Sequence, residues 1–182
     1  MRSSTLLLCA SLMACAPPAD GPSPSVARNE LTIRTLLSLW ESGDVDALAN
    51  VFSPQAVYDD FPNQTQYQGI QEIAGYVAHV HSWADAVTMS VTAVHASETG
   101  AVAEWMFSAV QAGPIGTRVP VATGRDVVLN GVTIIETADG RITRAADYID
   151  ALPLVLQLGA EVRMPGGSIL RLEDVAGGRG GA

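Results

Sequence analysis

The chain contains no lysine, only two cysteines and few aromatic residues. The chain has ten arginines and nineteen acidic residues, which gives a net charge of −9. Because no cluster of basic residues is available to neutralise phosphates, the composition argues against nucleic acid as a partner. Both cysteines, Cys9 and Cys15, lie near the N-terminus, so the rest of the chain has neither disulfide nor thiol chemistry.

The first fifteen residues have the pattern of an export signal. One arginine precedes an apolar run that is too short to span a bilayer and that ends in a small residue before Cys15. Leu12-Met13-Ala14-Cys15 resembles a bacterial lipobox, whose cysteine carries lipid after cleavage. We therefore expect a signal peptide over residues 1–14, lipidation of Cys15, and a lipoprotein anchored in a membrane of the cell envelope, on its periplasmic or extracellular face.

The remaining chain divides into three parts by composition. Residues 15–28 are rich in proline and predict a tether, and residues 29–165 are long enough for one domain with a real core. Residues 166–182 are rich in glycine and predict a tail.

Three stretches of the domain have the apolar spacing of amphipathic helices. In the first, Ile33, Leu36, Leu37 and Trp40 recur at i, i+3, i+4 and i+7. The second runs from Asp44 to Phe52, and the third begins at Gly69. His79 and His81 continue the third helix, where residues two apart face different directions, so we expect no metal site there.

The later part of the domain alternates as β-strands do. Residues 87–95 and 101–111 are two such strands, and Trp105 and Phe107 share one face of the second. Three helices followed by an antiparallel sheet predict an α+β domain. A strongly curved sheet covered by helices forms a cone, a shape that supplies an apolar pocket with acids in its wall.

The stretch from residue 131 to residue 150 organises this sheet. Asp139-Gly140 separates two β-rich runs and predicts a two-residue hairpin turn. By alternation Asp147 shares a face with Ala145 and Ile149, where a carboxyl group must be paired, hydrated or raised in pKa. The alternative is an ordinary acid at a strand end that faces water.

Several short motifs together resemble the SnoaL-like group of the nuclear transport factor 2-like superfamily, over residues 29 to about 165. The motifs are Ser42-Gly43-Asp44-Val45-Asp46-Ala47-Leu48, Val57-Tyr58-Asp59-Asp60-Phe61-Pro62, Tyr67-Gln68-Gly69-Ile70, Gly100-Ala101-Val102-Ala103-Glu104-Trp105, Gly131-Val132-Thr133-Ile134-Ile135-Glu136, Asp139-Gly140-Arg141-Ile142, Asp147-Tyr148-Ile149-Asp150 and Gln157-Leu158-Gly159. The resemblance implies a cone-shaped α+β barrel in which three N-terminal helices pack on a strongly curved antiparallel sheet.

The resemblance also implies roles for individual residues. Asp147 matches the acid–base aspartate of SnoaL-type cyclases, Asp60 matches the proton-shuttling aspartate of ketosteroid isomerases, and Tyr58 matches the water-positioning tyrosine of limonene epoxide hydrolases. The hydrolases' Arg-x-Asp is missing from residues 104–108, and the isomerases' oxyanion-hole tyrosine is missing from the first helix.

Two functions fit these features. The first is a cyclase, isomerase or lyase that acts on a small hydrophobic carbonyl compound and needs neither metal nor cofactor, with Asp147 and Asp60 as catalytic residues. The second is a binding module of the same fold, for a small ligand or a protein. For either function, the expected ligand contacts are Tyr58, Trp105, Phe107, Trp40 and Ile149.

Apolar residues that alternation places on the outer face of strands 87–95 and 101–111, and the habit of the resembled family, also predict a homodimer.

Overall fold

The domain begins with one long helix, and the computed structural model describes the chain over residues 21–176. Helix α1 spans Pro24–Ser42, where the Ser23 hydroxyl accepts a hydrogen bond from the Val26 N–H (3.4 Å) and Gly43 ends the helix at a φ of +69°. Its predicted apolar stripe is buried. The helix begins earlier than the predicted domain boundary at residue 29, because the serine cap lies inside the expected tether.

The second helix is shorter than predicted. Helix α2 spans only Leu48–Val51, and the chain enters strand β1 at Phe52. The side chain of Asp44 accepts a hydrogen bond from the Ala47 N–H (3.1 Å), so it caps the turn before α2 rather than a helix that reaches Phe52.

Six strands form the main sheet, and one helix lies between the second and third of them in the chain. The elements are β1 Phe52–Asp60, β2 Thr65–Gln68, α3 Gly69–Trp83, β3 Ala84–Ala96, β4 Gly100–Gln111, β5 Asp126–Ala138 and β6 Arg141–Ile149. The strand order is β2-β1-β6-β5-β4-β3. All neighbours are antiparallel except β1 and β6, which run parallel. The predicted curved α+β cone is therefore confirmed, with one parallel pair added.

The predicted hairpin joins β5 and β6. Asp139 and Gly140 both have positive φ angles, +51° and +76°, as a tight two-residue turn requires. A register shift between Glu136 and Thr137 then sets Thr133 opposite Asp147. On the other side of β6, the parallel pairing with β1 sets Asp60 opposite the same residue.

Bulges in β3 bend the sheet around the helices. Register shifts fall between Asp85 and Thr88 and again between Val91 and Ala93, and bulges of this kind curve a sheet. Helix α1 packs against β3 and β4, and α3 packs against β1, so one face of the sheet becomes the inside of the cone.

The outer face of β3 and β4 differs from the prediction. Its exposed residues are mainly hydroxylated or charged, namely Thr88, Ser90, Thr92 and Glu104, while Met106 is its one large exposed apolar side chain. The apolar residues of β3 point inward instead. The outer face of β4 also carries the half-exposed Val102 and Val110, so apolar side chains are present there but alternate with polar ones, and dimerisation stays a prediction that light scattering can test.

The C-terminal part carries more structure than predicted. Helix α4 spans Ala151–Gln157, strands β7 Val162–Arg163 and β8 Ile169–Leu170 pair, and α5 spans Leu172–Ala176. The predicted tail at 166–182 thus includes a strand and a helix, and its last six residues lie outside the described part. Across residues 21–176, no helix is both long and apolar enough to cross a bilayer.

Candidate active site

A cavity of about 370 Å³ lies between the helices and the inner face of the sheet. The lining residues that are buried form its closed part and include two acids, Asp60 and Asp147, among aromatic side chains. The lining residues that are exposed form its rim: Asn63, Thr65, His79 and Arg118. Both acids are therefore buried in the cavity wall, with Asp60 next to the rim residue Asn63.

Asp147 is held by two hydroxyl groups, one on each carboxyl oxygen. It projects inward from β6 and is 5% exposed. Tyr58 Oη donates to Oδ2 at 2.6 Å from the neighbouring strand β1. Thr133 Oγ1 donates to Oδ1 at 2.6 Å from β5 on the other side. The three central strands thus fix the carboxyl group from both flanks.

Each of these hydroxyl groups accepts a hydrogen bond from a tryptophan. Trp40 Nε1 donates to Tyr58 Oη at 3.1 Å, and Trp105 Nε1 donates to Thr133 Oγ1 at 2.8 Å. The Trp105 ring has room because Gly131 lies opposite it on β5. A Cβ at Gly131 would come within 2.3 Å of the indole ring.

The surroundings of Asp147 act on its pKa in opposite directions. Burial raises the pKa most, and the nearby charge of Asp60 raises it to a smaller extent. The hydrogen bonds from Thr133 and Tyr58 lower it, because they favour the ionised form, and the balance of these contributions is a pKa of about 6. A carboxyl group that titrates near 6 can serve as a base at neutral pH and still return its proton.

Asp60 is the second buried acid, and the turn after β1 supports it. Its side chain is 1% exposed and accepts hydrogen bonds from the Asn63 side-chain amide (2.8 Å) and the Asn63 N–H (3.3 Å). The turn thus supplies neutral donors to Asp60, and the carboxyl group stays at the cavity wall.

Tyr76 is a lining residue that the sequence analysis missed. Its ring stacks on Tyr67 at 4.4 Å and meets Trp40 edge-on at 5.0 Å. Burial raises the pKa of its hydroxyl, and the nearby Asp147 and Asp60 raise it further. The hydroxyl is therefore protonated at neutral pH and can donate into the cavity. Its position three residues after Ile73, on the buried stripe of α3, was the available signal.

The loop between β4 and β5 closes one side of the cavity. The buried side chain of Gln111 anchors it by donating to the Val121 carbonyl (3.0 Å) and accepting from the Thr123 N–H (2.6 Å). The loop then carries Ile115 and Arg118 to the cavity.

Of the predicted site residues, the structure brings six together around one cavity: Asp147, Asp60, Trp40, Trp105, Phe107 and Ile149. Tyr58 does not line it. Its side chain is fully buried behind Asp147, where its hydroxyl is occupied by that carboxyl group and by Trp40. Its position is therefore that of a support rather than a ligand contact. Cys15 lies outside the described residues, and its lipidation stays a prediction.

Neither histidine of α3 takes part in a metal cluster. Within residues 21–176, no group of three or more His, Cys, Asp or Glu side chains converges on a common point. His79 lies exposed at the rim, and Nε2 of His81 lies 2.8 Å from the Trp40 carbonyl oxygen.

A carboxyl group whose pKa is raised by an apolar site is a recurring arrangement for acid–base chemistry on several folds. The chain belongs to the SnoaL-like domain family, whose profile matches residues 33–145. No curated protein sequence matches the chain.

Solved structures are similar over most of the domain. A SnoaL-like polyketide cyclase candidate from Jannaschia sp. CCS1 has 20% identity and a TM-score of 0.70, covering 78% of this chain and 99% of its own. TsrD from Streptomyces laurentii has 25% identity and a TM-score of 0.65, covering 74% and 96%. IdmH from Streptomyces antibioticus, a candidate polyketide cyclase, has 20% identity and a TM-score of 0.61, covering 71% and 96%.

Proposed function

We propose that the protein is an acid–base enzyme of the cyclase or isomerase type, which acts on a small hydrophobic carbonyl compound with Asp147 as the general base. The observation that carries the proposal is a buried carboxyl group, held on both oxygens, that opens onto a largely apolar cavity. Apart from the acids and hydroxyls, the buried wall consists of aromatic and aliphatic side chains, which suit an apolar substrate.

The first step is removal of a proton next to the substrate carbonyl. The C–H bond breaks, its proton goes to Asp147, and its electron pair forms the C=C bond of an enolate. Tyr76 is the donor available to the enolate oxygen, because its hydroxyl is protonated, lines the same cavity and can exchange its hydrogen bond to Asp60 for one to the substrate.

The second step decides the product. In a cyclase, the enolate carbon attacks a second carbonyl carbon of the same molecule, and the oxygen formed there takes a proton. In an isomerase, the proton returns to another carbon. Asp60 is the second carboxyl group available for these transfers, because it lies opposite Asp147 in the β1–β6 pairing and lines the cavity.

The proton abstraction can be tested without the natural substrate. Bicyclic and linear ketones with acidic α-protons, such as 2-tetralone and ethyl acetoacetate, are incubated with the protein in D₂O, and proton NMR follows deuterium exchange. We expect exchange above the buffer rate, and a fall of about a hundredfold or more in Asp147→Asn. Asp46→Asn, an exposed acid outside the cavity, is the matched control.

Two outcomes contradict the enzyme. If no ketone exchanges faster with the wild type than with Asp147→Asn, the base assignment is wrong. If the ketones then still bind, as seen by quenching of the cavity tryptophans, the non-catalytic ligand-binding module is the better description.

A further inference from the structure

Two hydrogen-bond chains converge on Asp147, and each begins at an indole. One runs from Trp40 through Tyr58, and the other from Trp105 through Thr133. An indole N–H is a donor only, whereas a hydroxyl group can both donate and accept. Each hydroxyl must therefore accept from its tryptophan, and its single proton must point to the carboxyl group.

We propose that Trp40 and Trp105 are positioning residues, which lock the two hydroxyls as permanent donors to Asp147 and so favour its ionised form. The two tryptophans come from different elements, Trp40 from α1 and Trp105 from β4, and each acts through one hydroxyl group on one carboxyl oxygen. The expected effect on reaction rates rests on the proposed function. The ionisation of the Asp147 carboxyl group can be measured without any substrate.

The physical effect of the indoles is twofold. An indole occupies one acceptor site of the hydroxyl and so stops it from turning away from Asp147. It also polarises the hydroxyl, because hydrogen bonds in a chain strengthen one another by roughly 10–30% per bond. Both effects oppose the burial that raises the pKa of Asp147.

Other ionisable groups line the cavity or contact Asp147, and they must be followed in the same experiment. Asp60 and Tyr58 approach Asp147 from β1, Tyr67 belongs to β2, Tyr76 and His79 belong to α3, and Arg118 belongs to the loop between β4 and β5. None of them is changed in the tryptophan variants, so a displaced Asp147 titration reports the indoles.

The test is a carboxyl titration by carbon-detected NMR of the whole protein. Trp40→Phe and Trp105→Phe should each raise the pKa of Asp147 by a few tenths, and removal of a donor hydroxyl in Tyr58→Phe or Thr133→Val by about one. Thr133→Ser keeps the hydroxyl and should restore the wild-type value. Trp83→Phe is the matched control, since Trp83 lines the same cavity but, among the described residues, donates to neither hydroxyl.

Phenylalanine is smaller than tryptophan and leaves a void, so a second kind of variant removes the indole N–H and keeps the size of the side chain. The chain has three tryptophans, and in a Trp83→Phe background the only two left are those of the proposal. Replacing both with benzothienylalanine, an isostere that lacks the N–H, should raise the pKa of Asp147 as the phenylalanine variants do. In the ketone exchange assay, the acidic limb should move to higher pH by the same amount.

Wild-type titration of Asp147 in the benzothienylalanine protein would overturn the proposal, because the N–H groups would then have no effect on the carboxyl group. This outcome is distinct from failure of the enzyme assignment. A raised pKa in a protein that exchanges no ketone would uphold the positioning and reject the catalysis.

Discussion

The acids on the two faces of β1 and β6 have different kinds of hydrogen-bond partner. On the outer face, Arg144 binds Asp59 at 2.7 Å and Glu136 at 3.1 Å, so each acid there has a cationic partner. On the inner face lie Asp60, one residue after Asp59 on β1, and Asp147, three residues after Arg144 on β6. Among the described residues, these two acids receive hydrogen bonds from neutral donors only. The sheet thus separates an ion-pair cluster from a buried acid site by the alternation of side chains.

The difference explains why only the inner face is suited to proton transfer. A guanidinium next to Asp147 would stabilise the carboxylate and lower its pKa, which would make it a weaker base. Neutral hydroxyl donors orient the group without adding a full charge. Burial can then raise the pKa of Asp147 to about 6.

The largest expected effect concerns the pH dependence of stability. The pKa of Asp147 rises from 3.8 to about 6 on folding, so the folded state holds this proton more tightly than the unfolded state. Its contribution to the free energy of unfolding is fully present below about pH 4 and is lost as the pH rises through 6. The shift of about 2 pH units corresponds to about 3 kcal/mol.

Urea unfolding of wild type and Asp147→Asn between pH 4 and 8 measures this contribution. In Asp147→Asn, the amide NH2 group points at one of the two hydroxyl groups, so that two donors oppose each other. This clash lowers the free energy of unfolding by an amount that does not depend on pH. The difference between the two curves should therefore change by about 3 kcal/mol across this range. Parallel curves would show that Asp147 titrates as an exposed acid does.

A second prediction concerns how tightly the inner face is packed. In Gly131→Ala the new methyl group would overlap the Trp105 ring, and we expect a loss of about 1–3 kcal/mol in the free energy of unfolding. Gly75→Ala is the control, because open space surrounds that position in α3 and the change should stabilise the helix by about 0.5–1 kcal/mol. Equal stability of the two variants would contradict this account.

Local patterns predicted much of this arrangement. The Asp139-Gly140 turn and the apolar stripe of α1 follow from spacing over a few residues, whereas for Asp147 alternation gave only the residues that share its face and left open whether that face meets the core or water. Such signals depend only on helix and strand periodicity, so they can be read without knowing the partners.

The contacts that support Asp147 could not be read in this way. A strict two-residue hairpin would set Val132 opposite Asp147, and only the register shift near Glu136 brings Thr133 there instead. One such shift changes which face a side chain takes. The parallel pairing of β1 with β6 joins segments far apart in the chain, so the contact of Tyr58 with Asp147 had no local signal.

The smallest expected effect belongs to the outer face. Asp59→Asn removes a partly exposed ion pair, whereas Arg144 keeps Glu136 as its partner. Exposed pairs contribute up to about 1 kcal/mol, so the free energy of unfolding should fall by less than that, and by less still at high salt. The pKa of Asp147 should not move, because Asp59 points away from the cavity on the other side of the sheet. Chemical denaturation at two salt concentrations, together with the Asp147 titration, checks both parts. A displaced Asp147 pKa in Asp59→Asn would mean that the two faces are electrostatically coupled, and the separation described above would then fail.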